Sequence, residues 1–142
     1  MKSRLLLLFV LALGASLLLA ACGGGETAAP TVEEIDVSTL APSIDVETAH
    51  AVKDNPDVFM LDVREVDEFE AGHIPGITLI PMTEIAGRLS EIPTDQQVIV
   101  TCRTGNRSAQ VVDFLREQGF TNVHNMEGGI VAWEGAGYPV EQ

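Results

Sequence analysis

Gln97-Val98-Ile99-Val100-Thr101-Cys102-Arg103-Thr104-Gly105-Asn106-Arg107-Ser108 is the stretch that decides the fold. It opens as an apolar, β-branched run of strand length, and a helix-like run, Ala109 to Gln118, follows it. A strand that bends through a glycine straight into a helix is the repeating unit of a parallel α/β sheet. Cys102 then lies at the carboxyl end of a strand, where open parallel sheets bind their ligands. The helix after it turns unpaired backbone N–H groups back toward the sulfur. Gly105 lets consecutive N–H groups converge into an anion nest, and Arg103 and Arg107 add positive charge. These groups are expected to hold the thiol well below its ordinary value near 8.5, as a nucleophilic thiolate. The site suits a reactive sulfur anion or a bound oxyanion.

Strand and helix signals alternate on either side of this stretch. Asp45 to Val52 fits a short helix with Asp45 as its cap, and Val58 to Val63 a buried strand. Glu65 to Ala71 fits an acidic helix, opened by Glu65 and stopped by Gly72. His73-Ile74-Pro75-Gly76 is a turn, and Ile77 to Ile80 a strand that Pro81 stops. Thr83 to Ile92 fits a helix capped by Thr83. Val111, Val112 and Leu115 share one face of the helix that leaves the Cys102 turn, and Gly119 ends it. Thr121 to Met126 is the last strand candidate, and Gly129 to Trp133 a last helical turn or two. β-Branched strands separated by helices imply a parallel sheet covered on both faces, and roughly 100 residues suffice for one such core.

The chain begins differently. Lys2 and Arg4 precede an uncharged run of 17 residues, Leu5 to Ala21, which suits the apolar region of a signal peptide better than a membrane span. Leu19-Ala20-Ala21-Cys22 resembles a bacterial lipobox, in which the peptide is cut before the cysteine and the sulfur carries a diacylglyceryl group. The expected organisation is a lipoprotein signal peptide at 1–21, lipidated Cys22 with a flexible linker at 22–42, and one domain at 43–142. An uncleaved anchor, or cleavage elsewhere, is the competing reading. Gly23-Gly24-Gly25-Glu26-Thr27-Ala28-Ala29-Pro30 reads as a tether, and residues 31–42 merge into the edge of the domain. Two or three acyl chains, at about 0.8 kcal/mol per buried methylene, would hold the domain on the membrane. The expected location is extracytoplasmic, in the periplasm or on the outer cell face. Lipidation of Cys22 would leave Cys102 with no disulfide partner in the monomer, which is the expected state.

Charge narrows the choice of partner. Asp and Glu number 21 against 8 Lys and Arg, a net charge of −13. Loss of Lys2 and Arg4 with the first 21 residues would take it to about −15. Such a surface argues against nucleic acid and against adsorption on anionic lipid. Against that background Arg103 and Arg107, both beside Cys102, mark a local anion site.

Four motifs recur in the order seen in single-domain rhodaneses, the thiosulfate sulfurtransferases. They are Asp62-Val63-Arg64-Glu65, Gly72-His73-Ile74-Pro75-Gly76, Cys102 to Ser108, and Glu127-Gly128-Gly129-Ile130 with Trp133. The resemblance runs from about Ile44 to Glu141. It implies an α/β, doubly wound domain with a central, mostly parallel five-stranded sheet and helices on both faces. It also implies a mechanism in which the Cys102 thiolate takes the outer sulfur of a donor such as thiosulfate, releases sulfite and holds a persulfide. Cyanide or a cellular thiol then removes that sulfur. By match to the family loop, backbone N–H groups of Arg103, Thr104, Gly105, Asn106 and Arg107 cradle the persulfide. Arg103 and Arg107 would draw in the anionic donor, with Arg107 also bracing the loop and Ser108 supporting it. Asp62 and Arg64 match charged groups near that loop, as positioning residues rather than substrate contacts. No cofactor is implied.

Other chemistries fit less well. Related cysteine-dependent phosphatases and arsenate reductases place five residues between cysteine and arginine, whereas four separate Cys102 from Arg107. The shorter loop suits a single sulfur rather than a tetrahedral oxyanion. A non-enzymatic persulfide carrier or redox relay for a partner protein remains the alternative. A degenerate binding module would lack the cysteine. His50, His73 and His124 do not cluster with an available cysteine, so no metal site is expected. His73 reads as a turn residue rather than a base, Trp133 as core, and Met60, Met82 and Met126 as core or turn residues. A monomer is expected.

Overall fold

The computed structural model describes residues 35–142. The expected signal peptide, Cys22 and most of the linker lie outside the described residues. Strands β1 (Ser43–Ile44), β2 (Val58–Asp62), β3 (Thr78–Leu79), β4 (Gln97–Thr101) and β5 (Val123–Met126) form one sheet in the order β1-β5-β4-β2-β3. Every pairing in it is parallel. Helices α1 (Val46–Val52), α2 (Val66–Ala71), α3 (Asn106–Glu117) and α4 (Gly129–Gly135) complete the α/β domain.

Two apolar layers explain why the central strands read as nearly continuous hydrophobic runs. Successive side chains of a strand point to opposite faces. Val58, Met60 and Ile99 go to the face covered by α1 and α4, where Ala49, Val52 and Trp133 are buried. Leu61, Val98 and Val100 go to the other face, against Val111, Val112 and Leu115 of α3. Each such aliphatic side chain contributes about 1.5–3 kcal/mol by leaving water. Val37 and Leu40, ahead of the expected domain start, also pack on the first of these layers.

Local signals account for most boundaries. Asp45 accepts the Thr48 N–H at 2.8 Å and caps α1 as expected. Glu65 and Glu68 form a reciprocal capping box at the start of α2. Gly119, at φ 97°, takes the left-handed turn that ends α3. Two expectations fail in instructive ways. The segment Thr83–Ile92 is not a helix but two 3-10 turns, Ile85–Gly87 and Leu89–Glu91. Gly87 lies in its middle and Pro81 and Pro93 bracket it, so it is too short and too broken to propagate an α-helix. Arg88 instead ties the turns together through Glu84 at 2.9 Å and Glu91 at 2.7 Å. Helix α3 begins at Asn106 rather than Ala109. Gly105, at φ 90°, turns the chain so sharply that Asn106, Arg107 and Ser108 form the first helical turn.

The topology sets two strand ends side by side. Asp62 at the end of β2 is opposite Thr101 at the end of β4. Cys102 and the Asp62–Arg64 corner therefore leave the sheet together. Among the described residues no helix is long and apolar enough to cross a membrane.

Candidate active site

Cys102 is a free cysteine, only 1% exposed, at the carboxyl end of β4. Its Sγ accepts the Gly105 N–H at 3.1 Å and the Ser108 hydroxyl at 3.4 Å. Burial alone would raise the thiol. The Ser108 hydroxyl and the backbone N–H groups of Ser108, Thr104 and Gly105 outweigh it and leave the thiol below its ordinary value. The sulfur thus sits where the free N–H groups of the first turn of α3 converge. Ser108 is held in place in turn, since its hydroxyl also meets the Gly105 carbonyl at 3.1 Å.

The two loop arginines part company. Arg107 is spent on Glu68 of α2 in a two-pronged pair, Nη1 to Oε2 at 2.6 Å and Nη2 to Oε1 at 2.7 Å. Hydrogen bonds from Arg107 hold the Glu68 carboxyl down at about 2. Glu68 in turn raises Arg107, with the Cys102 thiolate adding a weaker push in the same direction. Arg107 therefore braces the loop against α2 rather than reaching into solvent for a donor. Arg103 is exposed, and no hydrogen bond or ion pair of its side chain is found among the described residues. Thr104 and Asn106 are exposed as well, and Thr104 acts on the sulfur through its backbone N–H.

Asp62 and Arg64 form a buried clamp beside the loop. Arg64 Nη2 meets Asp62 Oδ2 at 2.7 Å, with the side chains 5% and 0% exposed. Nε also donates to the Asp62 carboxylate, at 2.9 Å to Oδ2, while Nη2 reaches the Gly72 carbonyl at 2.8 Å and Nη1 the Glu68 carbonyl at 3.1 Å. This joins the end of β2 to the middle and the C-terminal cap of α2. With every prong engaged, the pair positions α2, and through Glu68 and Arg107 it positions the loop.

Two supports escaped the sequence reading. Glu68 is one; nothing in its spacing ties it to a residue 39 positions away. The other is the start of α4. The N–H groups of Ile130 and Val131 donate to the Cys102 and Arg103 carbonyls at 2.9 and 3.1 Å. Gly129 approaches so closely that a Cβ there would lie 2.4 Å from the Cys102 oxygen. The Gly128-Gly129 pair ahead of a helix was the available signal, since both take positive φ.

The remaining histidines are structural. His73 stacks on Phe69 at 3.8 Å and pairs its backbone with Glu141. His124 bonds the Ala41 carbonyl and Gln97, and His50 stacks on Tyr138. A cavity of about 260 Å³ opens beside the loop, lined by Arg103, Glu68 and Arg64 on one side and by α4 on the other.

Known proteins share this sequence and this shape. A protein of Allochromatium vinosum named sulfurtransferase is 38% identical over 109 residues, 77% of this chain and 94% of that protein. A thiosulfate sulfurtransferase of Pseudoalteromonas translucida is 40% identical over 58% of this chain and 79% of its own length. A putative sulfur carrier protein of Bacillus subtilis is 32% identical, over 79% of this chain and 58% of its own. Among solved structures, a rhodanese-related protein of Thermoplasma volcanium superposes with a TM-score of 0.66 at 35% identity, covering 71% of this chain and 98% of that one. The rhodanese-like domain model matches residues 45–136, and with these relatives it shows that the chain belongs to the rhodanese-like domain family.

Proposed function

We propose that the protein is a sulfurtransferase that moves the sulfane sulfur of thiosulfate, or a related anion, to a thiophilic acceptor through a Cys102 persulfide. The observation that carries this reading is the Cys102 sulfur, lowered below its ordinary pKa and met by Gly105 N–H and Ser108 Oγ at 3.1 and 3.4 Å. The thiolate attacks the outer sulfur of thiosulfate and a new S–S bond forms. The old S–S bond breaks, and its electron pair leaves with sulfite. The persulfide anion inherits the ring of N–H groups that held the thiolate, so neither state is left without donors. Cyanide or a thiolate then attacks the outer sulfur, and the electron pair of the breaking bond returns to Cys102. Arg103, with its side chain uncommitted, draws in the donor; Arg107, Asp62 and Arg64 keep the loop in shape. Ping-pong kinetics follow from the covalent intermediate.

The test is thiocyanate formation from thiosulfate and cyanide by the purified full chain beside Cys102→Ser. Turnover that disappears in the variant is expected. Wild-type turnover that survives Cys102→Ser would overturn the assignment.

A second reading is a persulfide carrier that discharges only to a partner protein. It is favoured by the 1% exposure of Cys102 and by the Bacillus subtilis relative named as a putative sulfur carrier protein. A gain of one sulfur atom in mass without thiocyanate turnover would select it. We further propose that the mature chain is lipid-anchored through Cys22 on the extracytoplasmic side. The mature chain should then begin at Cys22 and carry the added mass of a diacylglyceryl group; a chain that keeps residues 1–21, or an unmodified Cys22, would refute the anchor.

A further inference from the structure

The cavity beside the loop has a charge pattern that the transfer of a bare sulfur atom does not need. Four charged side chains line it: Arg64, Glu68, Arg103 and Glu134. Two are neutralised from within the fold, Arg64 by Asp62 and Glu68 by Arg107. Arg103 and Glu134 are left, both exposed, and among the described residues neither side chain has an ion-pair or hydrogen-bond partner. Their backbones are held in a fixed relation. The Val131 N–H of α4 binds the Arg103 carbonyl at 3.1 Å, and Glu134 lies one turn further along that helix. Ile130 and Val131 add apolar lining to the same cavity, and Val131 is 49% exposed for a large aliphatic side chain. At about 260 Å³ the space is smaller than the roughly 300–1,000 Å³ of sites for drug-sized ligands, so it suits a molecule of amino-acid size.

We infer that this cavity seats the sulfur acceptor, and that the acceptor is a small zwitterionic thiol carrying both a carboxylate and an ammonium group. The inference rests on the persulfide reading of Cys102. Arg103 binds the carboxylate, Glu134 binds the ammonium, and the carbon chain lies on Ile130 and Val131. The acceptor thiolate attacks the outer sulfur of the Cys102 persulfide. One S–S bond forms as the other breaks, the electron pair returns to Cys102 Sγ, and the acceptor leaves as its own persulfide.

The experiment loads the full chain, in detergent, with thiosulfate and confirms the added sulfur by mass. Discharge is then followed with cysteine, cysteamine, 3-mercaptopropionate and 2-mercaptoethanol, each compared at equal thiolate concentration, and with cyanide. Cysteine should show the lowest KM, and removal of either charged group should raise it about threefold to fivefold, as for partly exposed ion pairs. Glu134→Lys should reverse the order, raising KM for cysteine and cysteamine and lowering it for 3-mercaptopropionate. Equal KM values for cysteine and 2-mercaptoethanol in the wild type would overturn the inference. So would a Glu134→Lys variant that keeps the wild-type order. Both results leave the persulfide reading standing. Failure to gain the sulfur at all would instead remove that reading, and this inference with it.

Discussion

Ser108 acts on Cys102 twice, through its hydroxyl at 3.4 Å and through its backbone N–H. Only the first is lost in Ser108→Ala, so the thiol should rise but stay below the value of a buried cysteine with no donors. The pH midpoint of alkylation by iodoacetamide reads this directly. An unchanged midpoint would assign the lowering to backbone N–H groups alone. The same shift makes stability depend on pH. Because the folded pKa lies below the unfolded one, the contribution is complete above the ordinary thiol value near 8.5 and fades as pH falls through the folded value. Gly129 leaves no room for a side chain. Its φ of 58° and the 2.4 Å approach to the Cys102 oxygen leave a methyl group nowhere to go. Gly129→Ala should cost about 2–3 kcal/mol from overpacking and backbone strain, seen as a lower urea midpoint with its slope unchanged. A midpoint within error of wild type would show that α4 can retreat from the loop.

At the scale of elements, the loop is held by two neighbours rather than by its own sequence, α2 through Glu68 and α4 through Ile130 and Val131, while the Asp62–Arg64 clamp holds α2 in turn. Glu68→Gln keeps the shape and removes the charge. It should cost about 1 kcal/mol, the upper end for a partly exposed pair, and free Arg107 to move. Since Glu68 is lowered from 4.5 to about 2, its contribution is complete above about 4.5 and vanishes as pH falls through about 2. Wild type and variant should therefore converge in thermal stability when compared at pH 7 and near pH 2; a constant gap across that range would argue against the ion pair as its source. This layout also explains what could be read in advance. Strands β2, β4 and β5 and helices α1 to α3 carry their own signals, as β-branched runs, caps and stops. The edge strand β1 is only Ser43–Ile44 and is made by its pairing with Asn125 and Met126. Too short for any periodicity, it was legible only as the margin of a linker. The Thr83–Ile92 segment had a helical pattern of apolar residues but not the uninterrupted backbone to use it. In the site, the nucleophile and its nest follow from local chain geometry. The Glu68–Arg107 pair depends on how α2 packs beside α3, which no local spacing encodes.

For the whole molecule the governing quantity is its charge. The sequence carries −13, and on the proposed function the site has to draw an anionic donor into that field. The two effects act at different ranges. Close to the loop the donor meets Arg103, whose side chain is not neutralised by any neighbour among the described residues. Farther out it meets the summed acidic surface, which repels it. The Debye length sets the boundary, about 30 Å at 0.01 M salt and about 8 Å at 0.15 M. At low salt the approaching donor therefore feels the entire molecule, and at physiological salt little beyond the loop. Raising salt across this range should increase kcat/KM for thiosulfate by about twofold or more, because association is slowed by repulsion that salt removes. Discharge to 2-mercaptoethanol, whose attacking thiolate carries one negative charge against two on thiosulfate, should rise less when compared at equal thiolate concentration. A fall in kcat/KM for thiosulfate with salt would mean that the positive potential of the loop reaches beyond the acidic surface, and that Arg103 steers the donor from solution rather than holding it after arrival.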